Sequence, residues 1–387
     1  MKSMKRLLGW LALGSLALTA QTPAPAPATA AAPTPTPQAK FNNFTWKGVK
    51  LSGVADGYYN KAFNNPSSGF NQVRNFDIDA NSWDLNMLKF AIEKSAEPVG
   101  FRLDLGMGKA FTIFQISEPT RRVDHLEPVM QAYVSFKPKS WKGVQVDFGK
   151  FFTSAGAELT ETHLGWNYSR AFLYANGPYY HVGLRTTIPV TKEFTAGFQI
   201  VNGWNSVVDN NTPKTFGFTG VYTKGKVTYS NVYYVGPEKF KPLKGVRHFW
   251  DQVLAINVTD KFSTYLNFDL GFDRGAVAPA SVTGKYGTAK FNALGWAYRY
   301  QINKMFAFAN RYEYYYDGAG FITGQAQTLK EATFTLEAKL ADGLLTRFEY
   351  RNDWSNQPFY VRETGKSLGK TQPTFTIGLV GYFGPKS

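Results

Sequence analysis

The sequence predicts an all-β fold, a closed antiparallel transmembrane β-barrel of up-and-down topology with about 16 strands. Three observations support this class. Between residues 44 and 384 apolar and polar residues alternate with a period of two, as side chains do on the two faces of a strand. Short and long connections follow one another without a break. Aromatic residues make up 16% of the chain and glycines number 36, which suits many strands joined by tight turns.

The N-terminus predicts export. "MKSMKR" is a basic segment, and "LLGWLALGSLALTA" is an apolar segment that ends in small residues. This pattern is typical of a secretory signal peptide, which we expect at residues 1–20 with cleavage near Ala20. The apolar run is shorter than the ~20 residues that a spanning helix needs.

A Pro/Ala-rich segment follows the signal peptide. "QTPAPAPATAAAPTPTPQ" cannot build a core, so residues 21–43 are predicted to be a disordered spacer before a barrel at 44–384. The chain has a formal charge of +15 and contains no cysteine. The absence of cysteine excludes disulfides, thiolate metal sites and a cysteine nucleophile.

The strands are predicted from runs of the two-residue period, most of them near or above the ~10 residues that cross a bilayer when tilted. The predicted runs are 44–63, 82–97, 99–114, 127–139, 144–153, 180–190, 194–204, 214–225, 227–238, 247–259, 262–275, 289–303, 305–317, 329–341, 344–355 and 371–384.

The connections between these runs alternate in length. Tight turns such as "VTKE", "TKGK" and "ADG" carry Gly, Asp and Lys. Long connections lie between them, at 64–81, 115–126, 154–179, 205–213, 239–246, 276–288, 318–328 and 356–370. Outer-membrane barrels have short periplasmic turns and long external loops, and the alternation therefore favours a barrel. A soluble two-sheet sandwich stays an alternative at this point.

The charged face of each strand is predicted to line a wet lumen. In "LTRFEYRND" Phe348 and Tyr350 share one face, while Arg347, Glu349 and Arg351 share the other. Because a buried unpaired charge is costly, we expect the charged faces to be solvated. Tyr and Trp collect toward strand ends and predict two interfacial girdles, formed by Trp46, Tyr58, Tyr59, Trp141, Trp204, Trp250, Tyr314, Tyr315, Tyr316, Trp354 and Tyr382.

Three blocks in residues 148–204 carry a family resemblance. They are "FGKFFTSAGAE", "NYSRAFLYANGPYYHVGLR" and "VNGW". In this order and spacing they resemble the OmpL-like porins, outer-membrane β-barrels of Gram-negative bacteria. The resemblance implies a barrel in the outer-membrane lipid, inserted by the barrel assembly machinery, with a porin-type role. One departure is that "GPKS" follows Phe383, whereas such barrels commonly end on the aromatic residue that the assembly machinery reads.

The candidate site combines a loop with a charged wall. Loop 154–179 is expected to constrict the pore through Glu158, Glu161 and Arg170, with a short helix at "SRAFLYANG". Rings of arginine favour anions, which suggests a weak anion preference; neutralised salt-bridge ladders are the alternative. The predicted pore-lining residues are Arg102, Asp104, Arg185, Arg299, Arg311, Glu313, Arg347, Glu349 and Arg351.

The predicted function is passive diffusion of small hydrophilic solutes through an outer-membrane porin, with no catalysis, metal or cofactor. The alternatives are a substrate-specific channel for anions, sugars or organic acids, and a non-transport barrel such as a lipase or adhesin. A lipase would need a His–Ser pair with an orienting polar partner, and one such pair in a loop, His163 and Ser169, is expected by chance. Basic charge is spread along the chain, which argues against nucleic acid. A homotrimer is common among porins of this size, but no sequence feature demands one.

Overall fold

The computed structural model describes residues 45–46, 48–120, 124–240, 244–277 and 287–384. The predicted signal peptide and spacer lie outside them. A short strand, β1 (Thr45–Trp46), pairs with β2. The long strands are β2 (Val49–Ala62), β3 (Ser82–Lys94), β4 (Val99–Met107), β5 (Val129–Phe136), β6 (Gln145–Phe152), β7 (Tyr180–Pro189), β8 (Phe194–Val201), β9 (Thr215–Lys224), β10 (Val227–Gly236), β11 (Arg247–Asn257), β12 (Phe262–Val277), β13 (Gly287–Gln301), β14 (Phe306–Asp317), β15 (Gln327–Ala341), β16 (Leu344–Ser355) and β17 (Thr371–Phe383).

These long strands form one closed antiparallel barrel. Each strand pairs with its neighbour in sequence, and β17 pairs with β2, where Phe383 lies opposite Gly53. This pairing closes a ring of sixteen strands and leaves no free sheet edge among them. The predicted fold class is confirmed, and the short turns gather at one end of the barrel and the long loops at the other.

The two-residue period separates an outer from an inner face. On β16 the outward Phe348 and Tyr350 are 39% and 42% exposed, while Arg347, Glu349 and Arg351 are each 1% exposed. The apolar face therefore covers the outside of the barrel, where lipid replaces water, and the charged face points inward.

The prediction is wrong for the second half of one strand. The run 99–114 ends as a strand at Met107, and helix α1 (Lys109–Ile116) follows. Gly108 makes the break, because its φ of 113° is a conformation that side chains rarely adopt. The expected short helix in the long loop is present as α2 (Phe172–Asn176). Among the described helices none is long and apolar enough to cross a membrane.

The inner face changes character along the barrel. Toward the long-loop end an aromatic cluster fills the interior, and its members from the strands include Tyr234, Phe249, Phe291 and Tyr315. The girdle prediction is therefore wrong for four of its residues, since Tyr58, Trp204 and Tyr315 are buried and Tyr382 faces inward against His163 of the connection between β6 and β7. In the run Tyr314–Tyr315–Tyr316 strand parity turns the middle ring inward and the outer two outward.

Candidate functional site

The connection between β6 and β7, residues 153–179, lies inside the barrel and is called the lumen loop. Its first turn is held by two strands on one side of the wall. Gly156 N–H donates to Asp251 of β11 at 2.9 Å, and Ala157 N–H donates to Asn267 of β12 at 3.0 Å. The loop therefore begins against the inner wall rather than outside the barrel mouth.

Two wall carboxylates hold the second half of the lumen loop. Glu349 of β16 accepts hydrogen bonds from Tyr168 N–H at 2.6 Å and from Ser169 N–H at 2.9 Å. Glu313 of β14 accepts the N–H groups of Phe172 and Leu173, the first two residues of α2. Helix-starting N–H groups lack partners within the helix, so Glu313 supplies an acceptor that they need.

Arg347 of β16 holds the carbonyl groups of the loop's lower turn. Its guanidinium donates to Thr162 O at 2.5 Å, to Asn167 O at 2.8 Å and to Gly165 O. The same side chain donates to Glu337 of β15 at 2.7 Å. A planar donor fork of this kind suits several acceptors at once.

Two further arginines complete the set of wall contacts that hold the lumen loop, and this set is called the grip. Arg311 Nη1 donates to Glu158 at 2.6 Å and to Ser169 O at 2.8 Å. Arg351 Nη1 donates to Arg170 O at 2.6 Å. The wall thus offers carboxylates to loop N–H groups and guanidinium groups to loop carbonyls.

The three loop residues predicted from sequence have different partners. Glu158 is bound by Arg311 and also accepts Ala171 N–H at 2.7 Å. Glu161 pairs with Lys89 of β3, and the pKa of its carboxyl is lowered by Lys89 despite burial. Arg170 turns back on its own loop and donates to Leu159 O and Thr160 O, both at 2.8 Å. Arg170 thereby fixes the loop's shape rather than facing a pore.

Four of the predicted wall residues lie away from this grip and pair within the wall. Asp104 lies 2.8 Å from Arg102. Asp147 lies 2.8 Å from Arg185. Arg299 lies 2.8 Å from Glu337. Arg102 reaches the lumen loop only at 4.0 Å, from Glu161.

The expectation that the charged faces are solvated is wrong for most of these residues. Seven of the nine predicted pore-lining residues are at most 5% exposed, and these are Asp104, Arg185, Arg311, Glu313, Arg347, Glu349 and Arg351. The reason is that loop backbone groups and opposite charges replace water as their partners. Where the loop meets β12–β14, the cavity left is about 10 Å³, room for about one water.

Sequence reasoning missed several residues that hold the loop or its wall. Strand parity was a usable signal for those in strands, since they face inward like the predicted set: Asp56, Lys89, Asp251, Asn267, Glu331 and Asp353. Arg74 had no such signal. It lies in the loop after β2 and donates to Asp353 at 3.0 Å, so a second external loop also enters the barrel.

The lowest turn of the lumen loop faces the short-turn end. There the His163 ring stacks on Tyr382 at 4.5 Å, Trp166 lies 5.1 Å from Tyr265, and Leu164 is 53% exposed. Burial lowers the pKa of His163 to about 4, although Glu161 opposes the shift. The hydroxyl of Ser169 accepts hydrogen bonds from Arg311 and Arg351 rather than facing His163. In the described part of the chain no cluster of metal-ligating side chains occurs.

Comparison with known proteins agrees with the barrel. The family model described as "Putative beta-barrel porin-2, OmpL-like" matches residues 48–383. No curated protein matches the chain in sequence.

Solved structures share the fold at low identity. The outer membrane channel DcaP of Acinetobacter baumannii has a TM-score of 0.57 and 12% identity, over 87% of this chain and 96% of that one. OmpT of Vibrio cholerae gives 0.56 and 10%, over 88% and 99%. OmpF of Salmonella typhi, in complex with daunomycin, gives 0.54 and 12%, over 87% and 97%. At this identity the likeness shows the fold alone.

Proposed function

Because the chain belongs to the OmpL-like β-barrel porin family, we propose that it passes small hydrophilic solutes across the outer membrane by diffusion that the lumen loop controls. The observation that carries this proposal is the position of residues 153–179 within the barrel. Their contacts reach strands on opposite sides of the lumen, from Asp251 of β11 to Lys89 of β3, which lies eight strands away in the ring of sixteen. Any solute that crosses must pass this loop or displace it.

The chemistry of the contacts supports a loop that can move. Arg347 and Glu349 bind backbone groups of the loop, and water can take the place of either partner. An apolar contact has no such replacement, since its separation exposes apolar surface to water. The polar contacts of Arg347 therefore hold residues 160–167 in one place and still let this turn of the loop leave at moderate cost.

A weak anion preference stays a prediction. The arginines that suggested it are compensated: Arg311 lies 2.9 Å from Glu331, and Arg351 lies 2.6 Å from Asp353. Compensated pairs contribute little net potential, so the charge pattern supports at most a small preference. A reversal potential measured under a KCl gradient distinguishes anion preference, cation preference and none.

A reversible disulfide tests the role of the loop. The chain has no cysteine, so Asn167→Cys with Thr335→Cys introduces one pair where the side chains of the loop and of wall strand β15 meet at 2.7 Å. We expect the oxidised protein to show fewer or smaller conductance steps in a planar bilayer, and added reductant to restore them. The matched control is Thr335→Cys alone, which carries the thiol but cannot form the cross-link.

Three results would contradict the proposal or favour another function. Equal conductance with the cross-link closed and open means that solutes do not pass the lumen loop. No conductance in any form, from protein shown to be folded by heat-dependent gel mobility, favours a non-transport barrel. Current that saturates with one solute and is blocked by it favours a substrate-specific channel. We further propose that the barrel assembly machinery inserts the protein and that the protein is a homotrimer. Cross-linking in detergent tests the oligomeric state.

A further inference from the structure

The outer wall carries a basic patch at the long-loop end, formed by His248, Arg274 and Lys290. These residues share the outward parity of their strands with Phe272, which lies among them. Phe272 pairs with His248 on β11 and with Lys290 on β13, and Arg274 is two residues further along the same face. Direct cross-strand neighbours lie about 5 Å apart and diagonal ones about 7 Å. The three basic side chains therefore surround one aromatic ring.

The patch is ordered by contacts of its own. Tyr233 OH lies 2.5 Å from His248 Nδ1, and the His248 ring stacks on Phe272 at 4.5 Å. On the next outward row toward the barrel middle Trp250 lies opposite Leu270. A basic rim thus lies directly above an aromatic and aliphatic surface.

On the outward faces of the described strands, the positive charge of this patch has no acidic counterpart. Every Asp and Glu of the described strands lies on the inward parity. Asp273, the neighbour of Arg274, points inward and pairs with Arg247 and Lys239. Arg274 and Lys290 are exposed, and neither has an ion-pair partner among the described residues. The charges are therefore available to an anion that approaches from outside the wall.

We propose that the basic patch binds the phosphorylated headgroup of a lipid in the outer leaflet. Long loops mark the external end of an outer-membrane barrel, so the patch lies at the height of that leaflet's headgroups. Basic side chains at a membrane surface attract anionic headgroups. A free phosphate ion would use only the basic rim, whereas a lipid also covers Trp250 and Leu270 with its acyl chains.

Lipid titration of the full-length protein in detergent tests the assignment. The probe is diphosphorylated lipid A, and native mass spectrometry measures its binding. We expect Arg274→Gln with Lys290→Gln to weaken binding at least tenfold. The matched control, Lys94→Gln with Lys224→Gln, removes the same charge from outward positions at the short-turn end; we expect it to stay within twofold. Both proteins are first shown to be folded by heat-dependent gel mobility.

Three outcomes would overturn the proposal. Equal loss in the two double variants means that total charge, not this patch, attracts the lipid. Unchanged affinity for dephosphorylated lipid A means that the phosphate is not recognised. Displacement of the lipid by inorganic phosphate at equal concentration means that the site takes the free ion. Since conductance does not enter the test, failure here leaves the proposed channel function standing.

Discussion

Arg347→Ala is expected to loosen the lumen loop and raise conductance. The guanidinium donates to three loop carbonyls, of Thr162, Gly165 and Asn167. A hydrogen bond to a charged group contributes about 1.5–3 kcal/mol. Three such bonds give at least about 4 kcal/mol, taking the low end because water from the short-turn side replaces part of each. At about 1.4 kcal/mol per factor of ten, the displaced loop population rises by about a thousandfold.

The assay is single-channel recording in a planar bilayer, with open probability as the readout. The matched variant is Arg299→Ala, because Arg299 and Arg347 both pair with Glu337, at 2.8 and 2.7 Å. No hydrogen bond or ion pair in the described residues joins Arg299 to the loop, so its removal reports the loss of charge alone. Equal open probability in the two variants would refute the argument, because conductance would then follow wall charge and not the grip on the loop.

Three further changes test other parts of the structure. Glu313→Gln keeps the shape of the side chain but replaces one acceptor oxygen by an amide NH₂, so one of the N–H groups of Phe172 and Leu173 loses its acceptor. We expect an increase in open probability smaller than that of Arg347→Ala. Phe291→Ala should destabilise the barrel by about 3–5 kcal/mol through a cavity in the aromatic cluster, whereas the outward Leu294→Ala should cost less; heat-dependent gel mobility compares them. Burial lowers the pKa of His163 to about 4, below the ~6.5 of a free imidazole, so the docked loop favours the neutral ring. Loop docking should therefore be strongest above pH 6.5 and weaken as the pH falls toward 4. In conductance recordings, His163→Gln should flatten this pH dependence.

The barrel was predictable because its signals are local. Period-two alternation depends only on the next few residues, and tight turns have their own residue preferences. The same parity put Arg347, Glu349 and Arg351 on the inner face correctly. The break at Gly108 was missed because an apolar run such as "KAFTIFQI" fits strand and helix alike. The structure shows why the strand ends there: Gly108 has a φ of 113°, and a Cβ added to it would lie 2.7 Å from Asn86 O.

The grip on the lumen loop was not predictable from sequence, because it joins residues that are far apart in the chain. Glu349 meets Tyr168 across a separation of 181 residues, and Arg347 meets Thr162 across 185. One partner in each contact is a backbone group, which is the same in nearly every residue type and therefore leaves no pattern in the sequence. Parity therefore finds the wall residue, but it cannot show whether water or a loop carbonyl is its partner. The error about solvated charges follows directly from this gap.

The two kinds of contact along the lumen loop suggest which part of it moves. Phe172 and Leu173 belong to the aromatic cluster with Phe249 and Phe291, and pulling them out would expose apolar surface at about 25 cal/mol per Å². Residues 160–167 instead meet the wall mainly through hydrogen bonds, such as those from Arg347 to Thr162 O and Asn167 O, whose partners water can replace. Displacement should therefore be confined to the polar turn, with α2 as its fixed base. A label on Leu164, the exposed tip, should gain mobility in Arg347→Ala, while one on Ala175 of α2 should not.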